Sequence, residues 1–452
     1  MGTIFIDCTY LRDHNTLNTG IQRVVRHTIE ELEKLAPEKG YKIQLLYLKN
    51  GALQAVDLSE LYPVDSDTVR ETDALKSFSL KDYLKNLYYH TRLWVSALIP
   101  YPPFQNFVLG PKDKKKSLNH IVYFYIYTPV NVLISKLKSQ RNQDGAIQAK
   151  EGDVLLLLDS SWYMNIWKGV EKLKKEGACV VMISYDIIPI SHPEFCDDFL
   201  STVFSEWVGT SAKYVDGYIA ISQTVSQELE KYLHQLGNFD TGKTFSHFYL
   251  GSDFKKSTAE NPKAIRPELK SLFELPTYLM VSTIEPRKNH AYLLDAFEKV
   301  WGKGLQVNLL FIGRRGWKVD ALLKRIEDHP MAGRHLFFYD DIDDNELAYA
   351  YSHAKALVFP SIVEGFGLPI VEGLSYGLPV LASDTPIHRE VGGDRVAYFD
   401  LNDTSDLANI IEKWERGGVP PSLIPSEDYR WLTWEESAGQ LLENIQNICS
   451  NT

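Results

Sequence analysis

Short apolar runs recur along the chain, and amphipathic stretches separate them. Residues 3–7, 43–47, 154–159, 179–185 and 217–221 are rich in Val, Ile, Leu and Phe, are bounded by turn residues or helical patterns, and read as buried strands. Between them, 22–35 and 224–236 read as helical stretches with apolar residues at steps of three and four, which predicts one buried face on each. A polar stretch over 255–270, containing "KKSTAENPKAIRPELK", interrupts the rhythm, which then restarts. Residues 278–282, 307–312, 335–339, 356–359, 379–383 and 397–399 read as strands, with helices such as 291–300 and 345–354 between them. Strands that alternate with helices make parallel sheets covered on both faces. The expected class is α/β, with two Rossmann-like domains, 1–255 and 271–425, facing a cleft in which ligands collect at strand C-terminal ends. A helical segment, 426–452, ends the chain. No short internal repeat is visible.

Composition narrows the class. A chain of 452 residues is too long for one compact core, and two domains of roughly 150–250 residues each are expected. With 44% hydrophobic and 24% charged residues it has the make-up of a soluble globular protein, and its net charge of −11 argues against general nucleic-acid binding. Cys8, Cys179, Cys196 and Cys449 stand far apart with no C-x-x-C pair, so neither a disulfide framework nor a zinc site is expected, and a reducing, cytoplasmic compartment fits. The opening "MGTIFIDCTYL" reads as a strand: it has no basic n-region or small-residue cleavage site, and no Ser or Thr at the sixth position for myristoylation. The longest apolar stretch, 121–134, is shorter than the roughly 20 residues of a membrane span and contains Pro129 and Asn131.

One segment departs from this pattern. Residues 76–140 carry ten Lys or Arg against two acids, together with twelve Phe, Tyr or Trp. Rings at headgroup depth and cations on lipid phosphate suit an anionic membrane surface, which would place the protein peripherally at the inner face of the cytoplasmic membrane. The alternative is an insertion with its own aromatic core and water-facing lysines.

The chemistry gathers in the second half. In "EGFGLPIVE", Glu364 and Glu372 bracket a glycine loop, with a helix expected over 369–376 because Pro369 suits its first turn and Gly377 its exit. Gly365 and Gly367 let backbone amides approach a ligand, and the helix N-terminus behind them offers unpaired N–H groups to an anion. The two carboxylates suit sugar and ribose hydroxyls; alternatively Glu364 caps the helix and Glu372 is a surface residue. "STIEPRKNH" brings Arg287 and Lys288 to a strand end, a forked donor beside a point charge, suited to a diphosphate. "FIGRRGW" adds a turn at Gly313 after another strand.

The order "STIEPRKN", "FIGRRG", "PSIVEGFGLPIVEGLSYGLPVLASD" resembles the C-terminal signature of retaining glycosyltransferases of family 4, which have the GT-B fold. The resemblance is strong over about 278–400 and looser before it. It implies that Glu364 and Glu372, matching the E-x7-E motif, contact the donor sugar and the nucleotide ribose, and that Arg287 and Lys288 hold the diphosphate. Gly313, Gly365, Phe366, Gly367 and Leu368 would line the donor site, with Tyr339 and Ile342 near the base. Ser282 stands where many members have glycine. "NTGIQRVV" resembles the T-G-I-x-R-V loop of members acting on bacterial polysaccharides, in which Gly20 would let the loop approach the diphosphate. "SYDIIPISHPEF" resembles the H-D-x-I-P segment with Tyr185 in place of histidine, which makes Asp186 the residue beside the donor sugar. "ISQTVSQEL" resembles the strand-to-helix segment before the linker, and "YLGSDF", 249–254, the strand leading into the hinge; the last helix is expected to cross back to the first domain.

The function implied is retaining, metal-independent transfer of a hexose to a hydroxyl of a lipid-linked or growing bacterial surface glycan such as O-antigen or capsule. GDP-mannose is the favoured donor substrate and no resident cofactor is expected. Asp186, Arg287, Lys288 and Glu364 would carry the chemistry. A UDP- or dTDP-sugar donor, an epimerase on the same fold, and a binding scaffold without turnover are the alternatives.

Overall fold

The computed structural model describes residues 1–15, 20–49, 51–62, 147–237, 242–252 and 265–450. The basic aromatic stretch 76–140, and Asn18 and Thr19 of the "NTGIQRVV" run, lie outside them. The first domain holds a seven-stranded sheet in the order β3-β2-β1-β4-β5-β6-β7. These strands are β1 Gly2–Asp7, β2 Tyr41–Lys49, β3 Ala52–Ala55, β4 Val154–Leu157, β5 Cys179–Ser184, β6 Gly217–Ala220 and β7 Thr244–His247. Side chains alternate across it: Ile4, Ile6 and Leu156 pack on one face, and Phe5, Leu155 and Leu157 on the other. Burial on both faces is why these strands read as continuous apolar runs. The hairpin partner β3, paired antiparallel with β2, had no apolar run to announce it.

The second domain holds a six-stranded sheet in the order β10-β9-β8-β11-β12-β13. Its strands are β8 Thr277–Val281, β9 Asn308–Ile312, β10 Leu336–Tyr339, β11 Ala356–Phe359, β12 Val380–Ser383 and β13 Val396–Phe399, paired in parallel throughout. In each sheet the order reverses beside the first strand, at β1/β4 and at β8/β11. Adjacent loops diverge there and leave a crevice, so these two points position a ligand site. This is the two-domain α/β architecture expected from the strand–helix rhythm.

The helix Trp434–Ser450 returns to the first domain, packing on the helix Gly20–Leu35 and against β5, β6 and β7. It buries Trp434, Ala438, Leu441, Leu442, Ile445 and Ile448, one apolar stripe at helical spacing. The connecting segment takes up backbone groups that a strand would have paired. Ser437 Oγ donates to Tyr249 O at 2.6 Å, Tyr249 N donates to Gln440 Oε1 at 3.1 Å, Trp431 Nε1 donates to Leu250 O at 2.7 Å, and Ser252 N donates to Leu432 O at 2.9 Å. The strand expected at 249–254 is therefore absent from the described part of that run; β7 ends at His247, and the returning segment satisfies the backbone groups of Tyr249, Leu250 and Ser252 instead. Among the described residues no helix is long and apolar enough to cross a membrane.

The cysteine expectation is overturned. Cys179 at the start of β5 and Cys449 near the end of the returning helix form a disulfide across 270 residues of sequence, with Cα atoms 5.7 Å apart. No spacing rule could have found a pair that only the returning helix brings together. Cys8 and Cys196 are free. Protein purified without reductant and then denatured should titrate two thiols per chain, rising to four after reduction; four at the outset would remove the bridge. Gly251 marks where the returning segment presses hardest, since a Cβ there would lie 2.5 Å from Trp434 Cα. Gly251→Ala should cost about 1–3 kcal/mol, because the obstacle is backbone and cannot swing aside, read as a lower unfolding midpoint in urea.

Candidate active site

Two loops at the β8/β11 reversal build the centre of the site. After β8 the chain turns through Pro286–Lys288 and passes Asn289 at φ 61° before the helix His290–Gly302. After β11 it runs through Glu364 to Gly367, whose φ of 99° opens the helix Leu368–Ser375. Ile362 N donates to Arg287 O at 2.8 Å and ties the two loops together. A third loop is locked to the first at Gly313, where a Cβ would sit 1.8 Å from Ser282 O, so only glycine fits.

The side chains on these loops converge. Arg287 Nη1 donates to Glu364 Oε2 at 2.7 Å and Lys288 Nζ donates to the other carboxylate oxygen. Arg287 Nη2 pairs with Glu285 Oε1 at 2.7 Å. Glu364 is 8% exposed. Burial alone would raise its carboxyl, but Arg287 and Lys288 outweigh burial and hold it at about 2. Burial, and then the charge of Arg287, lowers Lys288. Burial likewise acts against the Arg287 charge, yet Glu364, Glu285 and Asp186 together hold it above its ordinary value. An ammonium has three donors, and Glu364 takes one from Lys288.

The first domain closes over this cluster. Gly365 meets it so tightly that a Cβ would lie 2.0 Å from Tyr185 O and 3.2 Å from Asp186 Cβ. Burial raises the Asp186 carboxyl, which Arg287 opposes, and its Oδ1 accepts from Ile188 N at 2.9 Å. Ser222 Oγ donates to Gly365 O at 2.9 Å, and Glu390 accepts from Gln223 N at 2.6 Å and Thr224 N at 2.8 Å, capping a first-domain helix from the second domain. At the opposite rim Trp317 Nε1 donates to Phe195 O at 3.0 Å and Lys318 Nζ donates to Cys196 O at 2.6 Å.

The remaining expected residues scatter around this centre. Glu372 lies on the helix Leu368–Ser375, buried, with Tyr351 OH donating to it at 2.7 Å. Phe366 packs its ring against Tyr249 and Trp431, which also meet each other. Tyr339 and Ile342 stand by the edge strand β10, two strands out from β8; Tyr339 O accepts from Gly313 N at 3.0 Å, and its ring faces Arg266. Gly20 is exposed at the start of its helix, and Leu368 is half-buried. Not singled out from the sequence were Glu285, which braces Arg287, and Arg23, whose guanidinium reaches to 3.5 Å from Glu372 across the cleft. Arg23 stands inside the "NTGIQRVV" run, so its position was legible though its partner was not.

A second carboxyl pair lies at the β1/β4 reversal. Asp7 accepts from Thr9 N at 3.2 Å and from Ser161 Oγ at 2.5 Å. Asp159 accepts from Leu11 N at 2.6 Å and Ser160 N at 2.7 Å. Burial, and then the charge of Asp7, pushes Asp159 up to about 7.

Comparison with known proteins places the chain among similar ones. Residues 263–423 match the family described as glycosyl transferases group 1. The serotype-specific mannosyltransferase WbdA of Escherichia coli is 31% identical over 327 residues, 70% of this chain and 40% of that protein, so the chain spans well under half of this relative. The O-antigen chain mannosyltransferase RfbU of Salmonella typhimurium is 29% identical over 54% of this chain and 63% of its own. Among solved structures, sucrose-phosphate synthase (tll1590) from Thermosynechococcus elongatus superposes with a TM-score of 0.55 at 15% identity, covering 100% of both chains. Anabaena Alr3699/HepE in complex with UDP and glucose superposes with a TM-score of 0.52 at 14% identity, covering 100% of this chain and 98% of that one. These last two show the fold, the GT-B arrangement that the motifs implied.

Asp159 supplies a pH test. Its folded pKa of about 7 lies above its unfolded value, so the native state keeps a proton that the unfolded chain releases, and stability is lost as pH rises through 7. Asp7→Asn, whose amide can donate to Ser161, removes the neighbouring charge. The variant's melting temperature relative to wild type should therefore climb between pH 6 and pH 8, a comparison in which the buried histidines cancel. A pH-independent difference would show that the two carboxyls are not coupled.

Proposed function

We propose, from the match of residues 263–423 to the family described as glycosyl transferases group 1, that this chain transfers a hexose from a nucleotide-diphosphate sugar to a hydroxyl of a growing or lipid-linked bacterial surface glycan. The observation that carries the reading is the Glu364–Arg287–Lys288 cluster at the β8/β11 reversal, closed over by Asp186 from the other domain. The names of WbdA and RfbU favour mannose as the sugar, hence GDP-mannose as donor substrate, and no resident cofactor enters the reaction.

Negative charge grows on the leaving diphosphate as the glycosidic bond breaks, and donors fixed in advance around it lower the barrier most. Lys288 and Arg287 take that role, with Glu364 and Glu285 holding them rigid. The amides of the Gly365–Gly367 turn and the helix behind them meet the phosphates. Glu364 and Asp186 orient the sugar, Glu372 accepts from the ribose hydroxyls, and Arg23 yields its contact with Glu372 as they arrive. With no further carboxylate among the described residues of this cluster placed as a nucleophile, the acceptor attacks on the face the diphosphate leaves, and a phosphate oxygen takes its proton, which retains the anomeric configuration. The closed cleft limits hydrolysis of the donor. Donor and acceptor would meet at the inner face of the cytoplasmic membrane.

Thermal unfolding with GDP, UDP, dTDP, GDP-mannose and UDP-glucose tests the donor. A nucleotide at 100 times its Kd should add about 2.7 kcal/mol of stability, and GDP and GDP-mannose should shift the midpoint selectively. Lys288→Met should stay folded, since Arg287 still pairs Glu364, and lose about 10²–10³-fold in kcat. Unimpaired transfer by Lys288→Met would remove the assigned role, and silence across the nucleotide panel would remove the donor site.

A further inference from the structure

Glu390 stands half-buried on the helix Pro386–Gly392 of the second domain. Its carboxylate accepts from Gln223 N at 2.6 Å, from Thr224 N at 2.8 Å and from the Thr224 hydroxyl, all on the first turn of the first-domain helix Gln223–Gln235. Burial, and then the charge and hydrogen bond of Glu390, raise the Tyr249 phenol, so the same carboxylate also meets the hinge. The first-domain helix already has a cap of its own: Ser222 Oγ accepts from Val225 N at 3.2 Å while donating to Gly365 O at 2.9 Å, one residue from Glu364. Other helices of the chain are capped by the residue just before them, as Asp197, Asp343 and Asp403 show. Glu390 reaches its helix from the other domain, 166 residues beyond Thr224.

We propose that Glu390 is a closing latch, a positioning residue that holds the first domain against the loop carrying Glu364. The inference rests on the glycosyl-transfer reading only for what closure serves; the latch itself is read without substrate. An interaction made in one of two arrangements biases the protein toward that arrangement. A cap from a neighbouring residue is present whether the domains are open or closed, whereas the Glu390 contacts exist only when they are closed. Releasing them strands no donor in a dry interior: Gln223 is exposed, and water takes up its N–H. The contacts at the opposite rim, from Trp317 and Lys318, each end on a carbonyl, whereas Glu390 gathers several donors on one carboxylate at the positive end of a helix. Both ends of the latch lead to the Glu364 cluster. On the first-domain side Ser222 grips Gly365, which in turn meets the Tyr185 carbonyl beside Asp186. On the second-domain side His388, two residues before Glu390, has Nδ1 3.0 Å from Ser383 O, and Ser383 Oγ donates to Ser361 O at 2.5 Å, where the loop to Glu364 begins.

Small-angle scattering of the full chain without nucleotide reads closure, comparing wild type with Glu390→Gln and Gln223→Pro. Gln223 is the first helical residue, and Ser222 before it is extended at φ −157° and ψ 161°, so proline suits the position. It keeps the helix and removes an N–H that Glu390 accepts. A role confined to capping would leave Gln223→Pro as compact as wild type. As a latch, both variants should show a larger radius of gyration with unchanged far-UV circular dichroism and an unchanged GDP-induced thermal shift. Turnover of GDP-mannose, read as GDP released, should fall about tenfold or more in kcat, since a small misplacement far from the chemistry suffices for that, while KM stays close to that of wild type. Should one variant fail to fold, the other decides. Wild-type dimensions in a folded variant, or wild-type kcat from a variant that has opened, would each overturn the latch. Wild-type protein that releases no GDP speaks against the glycosyl-transfer reading and leaves the scattering comparison to decide the latch alone.

Discussion

Glu364 is a carboxylate placed where water scarcely reaches, and the organisation of the cleft stems from keeping it ionised there. An isolated buried charge is expensive enough that the group would take up a proton instead. Here one oxygen is bonded by Arg287 and the other by Lys288, so the charge is retained and its two partners are immobilised by the same contacts. Glu285 braces the far side of Arg287. A site built this way is rigid before any ligand arrives, which is what stabilising a departing anion requires.

That rigidity needs the backbone to come close in three places, and glycine serves each. Gly313 lets one strand-end loop rest on another, Gly365 lets the second domain touch the Tyr185 carbonyl of the first, and Gly251 lets the returning segment lie against the hinge. The first two bring Arg287 and Asp186 to opposite walls of one narrow space. The third anchors the helix Trp434–Ser450, which spans from the second domain to the sheet of the first and so bears on the angle between the walls. Phe366 shows the coupling most directly: one residue beyond Gly365, which meets the first domain, its ring packs against Tyr249 and Trp431 at that hinge.

The first domain contributes differently. Its carboxyls, Asp7 and Asp159, receive backbone N–H and hydroxyl donors from the loops after β1 and β4 and so tie those two loops together. The second-domain wall of the cleft is thus dominated by paired ions and the first-domain wall by aromatic surface with isolated polar groups.

Much of this was legible in the residues themselves. Apolar runs spaced by helical periodicity gave the parallel sheets, because burial on both faces forces a strand to be apolar throughout, as at β4 and β5. Glu364, Arg287, Lys288 and the glycines between them could be picked out because loops at strand ends have a fixed local chemistry that survives as a motif. What only the tertiary structure decided are contacts between segments far apart in sequence: the pairing of Arg23 with Glu372, the bond between Cys179 and Cys449, and the loss of a strand at Tyr249 to the returning segment. Periodicity and spacing report how a segment meets its immediate neighbours, whereas these contacts depend on how two domains and a crossing helix lie in space, a property no local pattern encodes.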